Sequence, residues 1–372
     1  MDKHIFTKED THIMKGIAIA LMLIHHIARF NNRIVDNIIP ISLTKINDID
    51  MAYYLGIYGK TCVSIFYLCG GIGIYKAFQK GKLDIFNRIF KLYLSYWKVF
   101  IIFVPIGFLF FNNQPDYCES TGICHRYENF DIIELISNFI GLSNSYNSEW
   151  YFLKYYVVIL LIFWMIGGGV LKRHSFTQNV FWIIIYDIIL EAVFPTFSET
   201  ILFKNLQKNY LFSLLIYHQV PYVACFWMGC ALAKDDILEK LRFELQKKKL
   251  LNTVVDIVVI FCLIVISNSI TGVSMDLFSV PILVIFATDL VRRIKISKLI
   301  IKIGQKSTNM WLIHTFFCYY YYPVAQLIYK PQYAILIWLL LMVLTYIASV
   351  LVDILYVKAG YIIKKILPKN KI

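Results

Sequence analysis

The 372 residues carry more apolar surface than a water-soluble fold can bury: 59% are hydrophobic, only 16% are charged, and the mean hydropathy is +0.62. A soluble domain is roughly half apolar and about a quarter charged. The composition therefore excludes an ordinary soluble enzyme or binding module, and lipid is the expected solvent.

About ten apolar stretches, each close to the length that a bilayer core requires, follow one another along the chain. They lie near 13–30, 53–75, 90–111, 150–171, 179–195, 210–233, 252–270, 276–291, 308–329 and 333–357. The run 130–142 is too short to span a bilayer, and we expect an interfacial or re-entrant segment of the long loop 112–149. The sequence predicts an all-α polytopic bundle of about ten transmembrane helices, forming a single membrane domain over 1–372.

The basic residues indicate how this bundle is oriented. With the N-terminus in the cytoplasm, most of the 37 lysines and arginines fall in the inner connections, as in Lys80–Lys82, Lys247–Lys249 and Arg292–Arg293. This is the distribution of the positive-inside rule. Both chain ends are therefore predicted to be cytoplasmic. The net charge of +13 reflects topology, so no nucleic-acid partner is implied. Frequent Ile, Lys and Asn are typical of an AT-rich bacterial genome, and we expect a multi-pass protein of the cytoplasmic membrane.

The cysteines divide into two groups. Six of the eight lie in apolar stretches, where they behave as small hydrophobic residues. Cys118 and Cys124 lie in the outer loop, the one compartment where a disulfide persists, and we predict that they are bonded. A metal site that also uses His125 is the alternative. Its spacing fits no standard zinc pattern, so no metal is expected.

The first helix carries the most suggestive polar residues. Lys15 and His26 are 11 positions apart, which is about 1,100° of helical rotation, so they lie within about 20° of one face and about 16 Å apart along the axis. His25 points about 80–100° away from that line. A single buried histidine is more often a core residue than a catalytic one. Two in tandem, in register with a cation, favour chemistry.

Other polar residues in or beside the apolar stretches are candidates for ligand contacts, because ionisable groups in lipid are costly. Asp187 and Glu191 are four positions apart on one helix face. They could orient a histidine or bind sugar hydroxyls, or they could form a hydrogen bond between two helices. Glu149 beside Trp150 suits a sugar, although Trp150 is equally typical of an interfacial aromatic belt. His314 lies about two turns inside the ninth stretch.

The spacing of Lys15 and His26, with ten residues between them, resembles the first-helix motif of membrane acyltransferase family 3. Further blocks resemble the family in its own order: Gly59–Gly71, Arg88–Tyr93, Glu149–Leu153, Phe226–Gly229 and Ser307–His314. Together they cover about residues 11 to 330. Two departures are that Lys15 replaces the usual arginine and that Cys69-Gly-Gly replaces Ser-Gly-Phe. A lysine offers a point charge in place of a bidentate guanidinium.

The resemblance implies an integral membrane O-acyltransferase that modifies a surface or lipid-linked carbohydrate. The acyl group, acetyl in the simplest case, would come from cytoplasmic acyl-CoA, the donor substrate. Histidine has a pKa suited to a general base, so His26 is the predicted catalytic residue, with His25 beside it. Three cations at cytoplasmic helix ends are predicted to bind the CoA phosphates: Lys15, Arg88 and Lys91. His314 is predicted to line the channel for this donor.

Two other functions fit part of the sequence. A polytopic glycosyltransferase that uses a lipid-phosphate sugar would explain Asp48-Ile-Asp50 in the first outer loop. It leaves the acyltransferase-like blocks unexplained. A carbohydrate exporter would require charged residues along a central pathway and pseudo-symmetric halves, which the sequence does not display. The sequence does not determine the oligomeric state.

Overall fold

A computed structural model describes residues 6–30, 33, 40–41, 45–46, 49–118, 122–208, 223–269 and 275–366. The chain in these ranges is mainly helical. The α-helices are α1 Lys8–Ala28, α2 Met51–Gly59, α3 Thr61–Gln79, α4 Ile85–Phe110, α5 Ile132–Phe139, α6 Tyr151–Ile162, α7 Gly168–Arg173, α8 Phe176–Ile188, α9 Phe194–Phe197, α10 Ile201–Gln207, α11 Ala224–Lys234, α12 Ile237–Lys247, α13 Thr253–Ser269, α14 Asp276–Arg293, α15 Ser297–Thr315, α16 Tyr322–Tyr329 and α17 Ala334–Ile366. Turns of π-helix follow α6, α8 and α15, at Phe163–Gly167, Ile189–Val193 and Phe316–Tyr320.

Within the described residues, six helical segments are long and apolar enough to cross a membrane. They are Lys8–Ala28, Met51–Gln79, Ile85–Phe110, Ser148–Arg173, Phe176–Phe197 and Ala334–Ile362. These segments correspond to the first five predicted stretches and the last. Ala224–Lys234 and Thr253–Ser269 are apolar but shorter. Most of the sixth predicted stretch, from 209 to 222, lies outside the described residues.

The last helix has one face for lipid and one for the protein. Leu336, Leu340, Val343, Ile347 and Leu351 are all exposed and recur at intervals of three or four residues. The buried side chains of the same helix recur with the same period on the other side: Ile337, Leu341, Thr345, Ser349 and Val352. A continuous apolar stripe of this length on the surface is typical of a lipid-facing helix.

The ninth predicted stretch, 308–329, is not one helix. Helix α15 begins earlier, at Ser297, passes into the π-helical turn at Thr315, and is followed by the separate helix α16. Pro323 lies in the first turn of α16. Proline lacks the N–H that a continuing helix needs and is tolerated in a first turn, so a new helix starts there.

The short run near 130–142 forms helix α5, which Asp131 caps by accepting from the amides of Ile133 and Glu134. Three aromatic side chains of α4 stabilise its other end. Tyr93, Tyr96 and Trp97 donate to the carbonyl oxygens of Ile140, Asn138 and Phe139, respectively. The last carbonyls of a helix have no partner within it. In or near a bilayer these side chains replace water.

The described contacts divide the chain into two compact units. The first comprises Met1–Met22, Ile57–Phe86 and Phe152–Gln305, and the second comprises Leu23–Gly56, Asn87–Tyr151 and Lys306–Ile372. In the first unit, α3 and α11 approach closely. A Cβ at Gly71 would lie 2.0 Å from the Phe226 carbonyl oxygen, and one at Gly229 would lie 2.3 Å from that of Leu68. Small residues permit such close packing of membrane helices.

Two small antiparallel hairpins complete the described structure. Lys45–Ile46 pairs with Ile49–Asp50, and Asp116–Cys118 pairs with Gly122–Cys124. In the second hairpin Cys118 is opposite Gly122 and Cys124 is opposite Asp116. The side chains of both cysteines lie outside the description, as does Asp48, so their disulfide stays a prediction.

Candidate functional site

Three histidines of the second unit form a cluster. His25 and His26 lie in the last turns of α1, and His314 lies at the end of α15. The ring centres of His26 and His314 are 4.7 Å apart, and those of His25 and His26 are 5.4 Å apart. Only 5% of His26 and none of His314 is exposed. The structure thus brings the predicted base together with a residue that was assigned to the donor channel.

The hydrogen bonds of Tyr319 determine which nitrogen of His26 carries the proton. The tyrosine hydroxyl donates its single proton to the backbone carbonyl oxygen of His26, at 2.6 Å. Nδ1 of the same histidine lies 3.2 Å from that hydroxyl oxygen. Because the hydroxyl proton is already used, Nδ1–H must be the donor in this second bond. Neutral His26 then has its lone pair on Nε2, the arrangement that a general base requires.

The other two histidines are fixed in the same tautomer. Nδ1 of His25 lies 2.6 Å from the carbonyl oxygen of Gly56, and Nδ1 of His314 lies 2.6 Å from that of Trp311. A carbonyl oxygen only accepts, so both Nδ1 atoms carry hydrogen. Nε2 of His314 is buried and has no hydrogen-bond partner among the described residues. A buried acceptor without a donor is uncommon and calls for an explanation.

The π-helical turn Phe316–Tyr320 brings Tyr319 to this cluster. Its hydrogen bonds join residues five apart, so the turn changes the direction of Tyr319 relative to His314. The tyrosine run 319–322 is typical of an interfacial aromatic belt, and it could also form the floor of a carbohydrate groove. Its first three members are buried, which argues against the belt. Their hydroxyls have internal partners: Tyr320 contacts Ser148, and Tyr321 donates to the carbonyl of Phe103.

An ion pair lies beside the histidines in the same unit. Arg33 donates to Glu149 at 3.1 Å, and the two side chains are 13% and 16% exposed. The guanidinium also stacks on Phe30, 3.9 Å from the ring centre, and Phe30 in turn contacts the rings of His25 and His26. Arg33 was not predicted from the sequence, because it looks like one of the few basic residues on the outer side.

Trp150, predicted as a partner of Glu149 in sugar binding, is buried. Its indole N–H donates to the carbonyl oxygen of Leu312 at 3.0 Å, and its ring packs against Tyr96, Phe100 and Phe316. The nearby Asn147 amide also donates to α15, through the Thr315 hydroxyl at 2.7 Å. These bonds hold the start of α6 against the helix that carries His314. A contact between Trp150 and substrate stays a prediction.

The cations predicted to bind CoA are placed as follows. Arg88 and Lys91 are exposed near the start of α4, in the second unit, and form no ion pair with another described residue. Lys15 is in the first unit, on the unbroken helix α1 that continues to His26. Lys15 and His26 therefore lie on one continuous helix, as their predicted alignment on one helix face requires.

Asp187 and Glu191 lie in the first unit, half-buried where α8 passes into its π-helical turn. Asp276 of the same unit is close enough to Asp187 for an electrostatic interaction. It is buried and accepts from Ser64 at 2.5 Å and Thr61 at 3.4 Å. No three His, Cys, Asp or Glu side chains in the described ranges are arranged to hold a metal ion.

Comparison with protein families gives one result that bears on this site. A family model described as an acyltransferase domain, acyltransferase 3, matches residues 10–354. The match includes every histidine of the cluster. Searches of curated proteins and of solved structures gave no match.

Proposed function

Because the chain belongs to the acyltransferase 3 family, we propose that it is an integral membrane O-acyltransferase with acyl-CoA as donor and a carbohydrate hydroxyl as acceptor. The acyl group is acetyl in the simplest case, and the acceptor is a cell-surface or lipid-linked glycan. The observation that carries the proposal is the pair of contacts between Tyr319 and His26. They make Nδ1 the donor, which leaves Nε2 to take a proton.

In the proposed reaction, His26 Nε2 removes the proton of the acceptor hydroxyl as its oxygen attacks the thioester carbonyl. The new C–O bond forms, the C–S bond breaks, and the CoA thiolate leaves. The imidazolium returns its proton to the thiolate, which restores neutral His26 and yields free CoA. Tyr319 holds the ring throughout, and His314 lies against it as a second imidazole.

The other predicted residues take roles around this step. We propose that Lys15, Arg88 and Lys91 attract the phosphates of the donor from the cytoplasmic side. Glu149, held by Arg33, is the proposed acceptor-binding carboxylate in the same unit as the histidines. Trp150, Asp187 and Glu191 are retained as proposed acceptor contacts.

The topology proposed for the enzyme has ten spans, with both ends in the cytoplasm of a bacterial cell. In a variant without reactive native cysteines, a cysteine at the exposed positions Lys82, Lys248 or Lys295 is shielded from an impermeant thiol reagent in intact cells. A cysteine at the exposed loop residue Glu128 is labelled. Strong external labelling at position 248 would contradict the cytoplasmic location of this loop and so the proposed topology.

The function is tested by incubating membranes that contain the protein with radiolabelled acetyl-CoA and measuring label in the glycan fraction. His26→Ala should lower incorporation at least about 100-fold, since a positioned acid–base group typically contributes 10²- to 10⁴-fold. His25→Ala should lower incorporation less than His26→Ala does. Nδ1 of His25 is hydrogen-bonded to the carbonyl of Gly56, and its ring leaves the helix in another direction.

His174→Ala is the matched control, since this half-buried histidine ends a helix of the first unit and has no assigned role. It should transfer label at the wild-type rate. Absence of label in the glycan with wild-type protein would reject acetyl transfer to a glycan. Normal transfer by well-inserted His26→Ala would reject His26 as the base.

A further inference from the structure

Three charged side chains, each from a different helix, meet in the second unit. Asp353, in α17, accepts from Lys306 of α15 at 2.6 Å and from Lys98 of α4 at 3.4 Å. The amide of Asn309 donates to the same carboxylate at 3.1 Å. We call Lys98, Lys306 and Asp353 the lysine cluster. All three lie within predicted helices or at their inner ends, where charge is costly and usually functional.

The lysine cluster has one more cation than it needs. Two ammonium groups face one carboxylate, so its formal charge is +1. The side chains of Lys98, Lys306 and Asp353 are 16%, 28% and 31% exposed, so water screens them only in part. One lysine would suffice to neutralise Asp353. A structural ion pair does not account for the second.

The ammonium groups also have donors to spare. Each carries three N–H groups, and each bonds Asp353 without a second acceptor in the described part of the chain. The Lys98 ammonium lies 4.2 Å from the ring centre of Tyr356, which holds the cation without using its hydrogens. Several N–H groups with a net positive charge are what an anion with many acceptor oxygens requires.

We infer that the lysine cluster binds phosphate groups of the acyl-CoA donor, an inference that rests on the proposed function. Lys306 and His314 are eight positions apart on α15, an axial rise of about 12 Å. An extended pantetheine arm can bridge that distance, so phosphates held at Lys306 would let the thioester reach His26 and His314.

Helix α4 supplies a path to the cluster. Lys91 and Lys98 are seven positions apart, which places them within about 20° of one face and about 10 Å apart. Lys91 is exposed and Lys98 is half-buried. A CoA nucleotide carries several phosphate groups, so the exposed cation can attract the donor while the deeper one binds it.

The decisive measurement compares two donors in purified protein in a phosphate-free maltoside detergent. Acetyl-CoA carries the nucleotide phosphates, and S-acetyl-pantetheine carries none. Lys98→Ala and Lys306→Ala should each raise KM for acetyl-CoA about tenfold, the typical effect of one charged hydrogen bond. The KM for S-acetyl-pantetheine should not change. Arginine at either position should restore most of the binding of acetyl-CoA.

Asp353→Asn should not raise KM for acetyl-CoA as the lysine variants do. It removes the counter-charge but keeps the shape of the side chain, so KM for acetyl-CoA should fall or stay equal. If the cluster only joins helices, Asp353→Asn and the lysine variants would damage transfer from both donors equally, and the inference would be overturned. Lys358→Ala, an exposed lysine on the same helix as Asp353, is the matched control and should leave both KM values unchanged.

Direct binding separates this inference from the proposed function. Calorimetry with CoA itself needs no turnover: wild-type protein should bind CoA, and Lys98→Ala should bind about tenfold more weakly. Binding of CoA without transfer from acetyl-CoA would reject the proposed acetyl transfer, while the phosphate-binding role of the lysine cluster would stand. Equal CoA affinity of the two proteins would reject the site. An effect of Lys98→Ala that occurs only when phosphatidylglycerol is added would assign the cluster to a lipid headgroup instead.

Discussion

The charge network around Asp10 in the first unit is balanced, whereas the lysine cluster of the second unit is not. In the first unit, Asp10 accepts from Arg242 at 3.2 Å and from Arg292 at 2.9 Å. Arg242 also faces Asp289, and Arg293 pairs with Asp289 and lies 3.7 Å from Asp256. Three arginines therefore meet three aspartates. In the second unit, the two lysines of the lysine cluster share the single carboxylate of Asp353.

Two buried polar groups, one in each unit, show a similar contrast. Buried Asp276 of the first unit receives hydroxyl hydrogens from Ser64 and Thr61. Buried His314 of the second has an Nε2 for which the described residues offer no donor. A buried polar group that only stabilises the fold is most stable when each of its donors and acceptors has a partner.

An unfilled atom alone does not identify a ligand-binding or catalytic residue, because the Asp256 carboxylate oxygens and the Tyr329 hydroxyl also lack a hydrogen-bond partner among the described residues. The excess charge of the lysine cluster and the contact of His314 with His26 are the additional observations.

The largest effect is expected from removing one charge of the balanced network. Asp10→Asn leaves Arg242 and Arg292 without their shared carboxylate, and breaking a buried pair typically costs about 3–5 kcal/mol. Asp353→Asn removes the same charge from a partly exposed cluster, where pairs contribute about 1 kcal/mol or less. Thermal unfolding in detergent, followed by tryptophan fluorescence, should show a large loss of stability for the first variant and little for the second.

Glu9→Gln is the control for Asp10→Asn. It removes an exposed charge from the same first turn of α1, so it tests for any general effect of acidic residues near a helix N-terminus. Equal destabilisation by Asp10→Asn and Asp353→Asn would break the comparison between the two units.

Much of the fold follows from apolar patterning alone. The helical span Ala334–Ile362 is predicted because an apolar run of this length is stable as a helix that crosses a bilayer. The break between α15 and α16 is harder to predict. Pro323 follows a run of aromatic residues that is equally compatible with a continuous helix until the π-helical turn is seen.

The site is predictable to the extent that it depends on one helix. The register of Lys15 and His26 follows from 3.6 residues per turn, and α1 is unbroken over both. The contact between His26 and Tyr319 joins residues 293 positions apart, and no local pattern indicates it. Asp353 does have a local signal, because a lone carboxylate in a long apolar helix is costly without a cation.

A smaller effect, on rate and not on stability, is expected from Tyr319→Phe. The variant removes the acceptor of the His26 Nδ1–H bond and the donor to the His26 carbonyl, so the tautomer with a lone pair on Nε2 is no longer favoured. The rate of acyl transfer should fall about 10- to 100-fold, toward the lower end of the range for acid–base groups. Single-turnover transfer from radiolabelled acetyl-CoA measures this step directly.

Tyr329→Phe is a matched control for Tyr319→Phe. Tyr329 is fully buried in the same unit, and its hydroxyl has no partner in the described ranges. Its loss should leave both rate and stability close to wild type. A Tyr319→Phe protein with the wild-type rate would show that His26 does not depend on this hydroxyl for its tautomer.

The smallest effect is expected from His314→Phe, and it decides what the unfilled Nε2 of His314 does. Phenylalanine keeps a ring against His26 but removes the lone pair and the Nδ1 bond to Trp311. If His314 assists the proton held by His26, kcat should fall about tenfold, below the effect of losing the base itself, while KM for acetyl-CoA stays constant. If His314 only lines the donor channel, as its position in the sequence first indicated, KM should rise at constant kcat, because such a contact acts equally on the ground and transition states. A lower kcat at unchanged KM would give His314 a part in the proton transfer proposed for His26. An unchanged kcat would show that its unfilled Nε2 does not take part in the reaction.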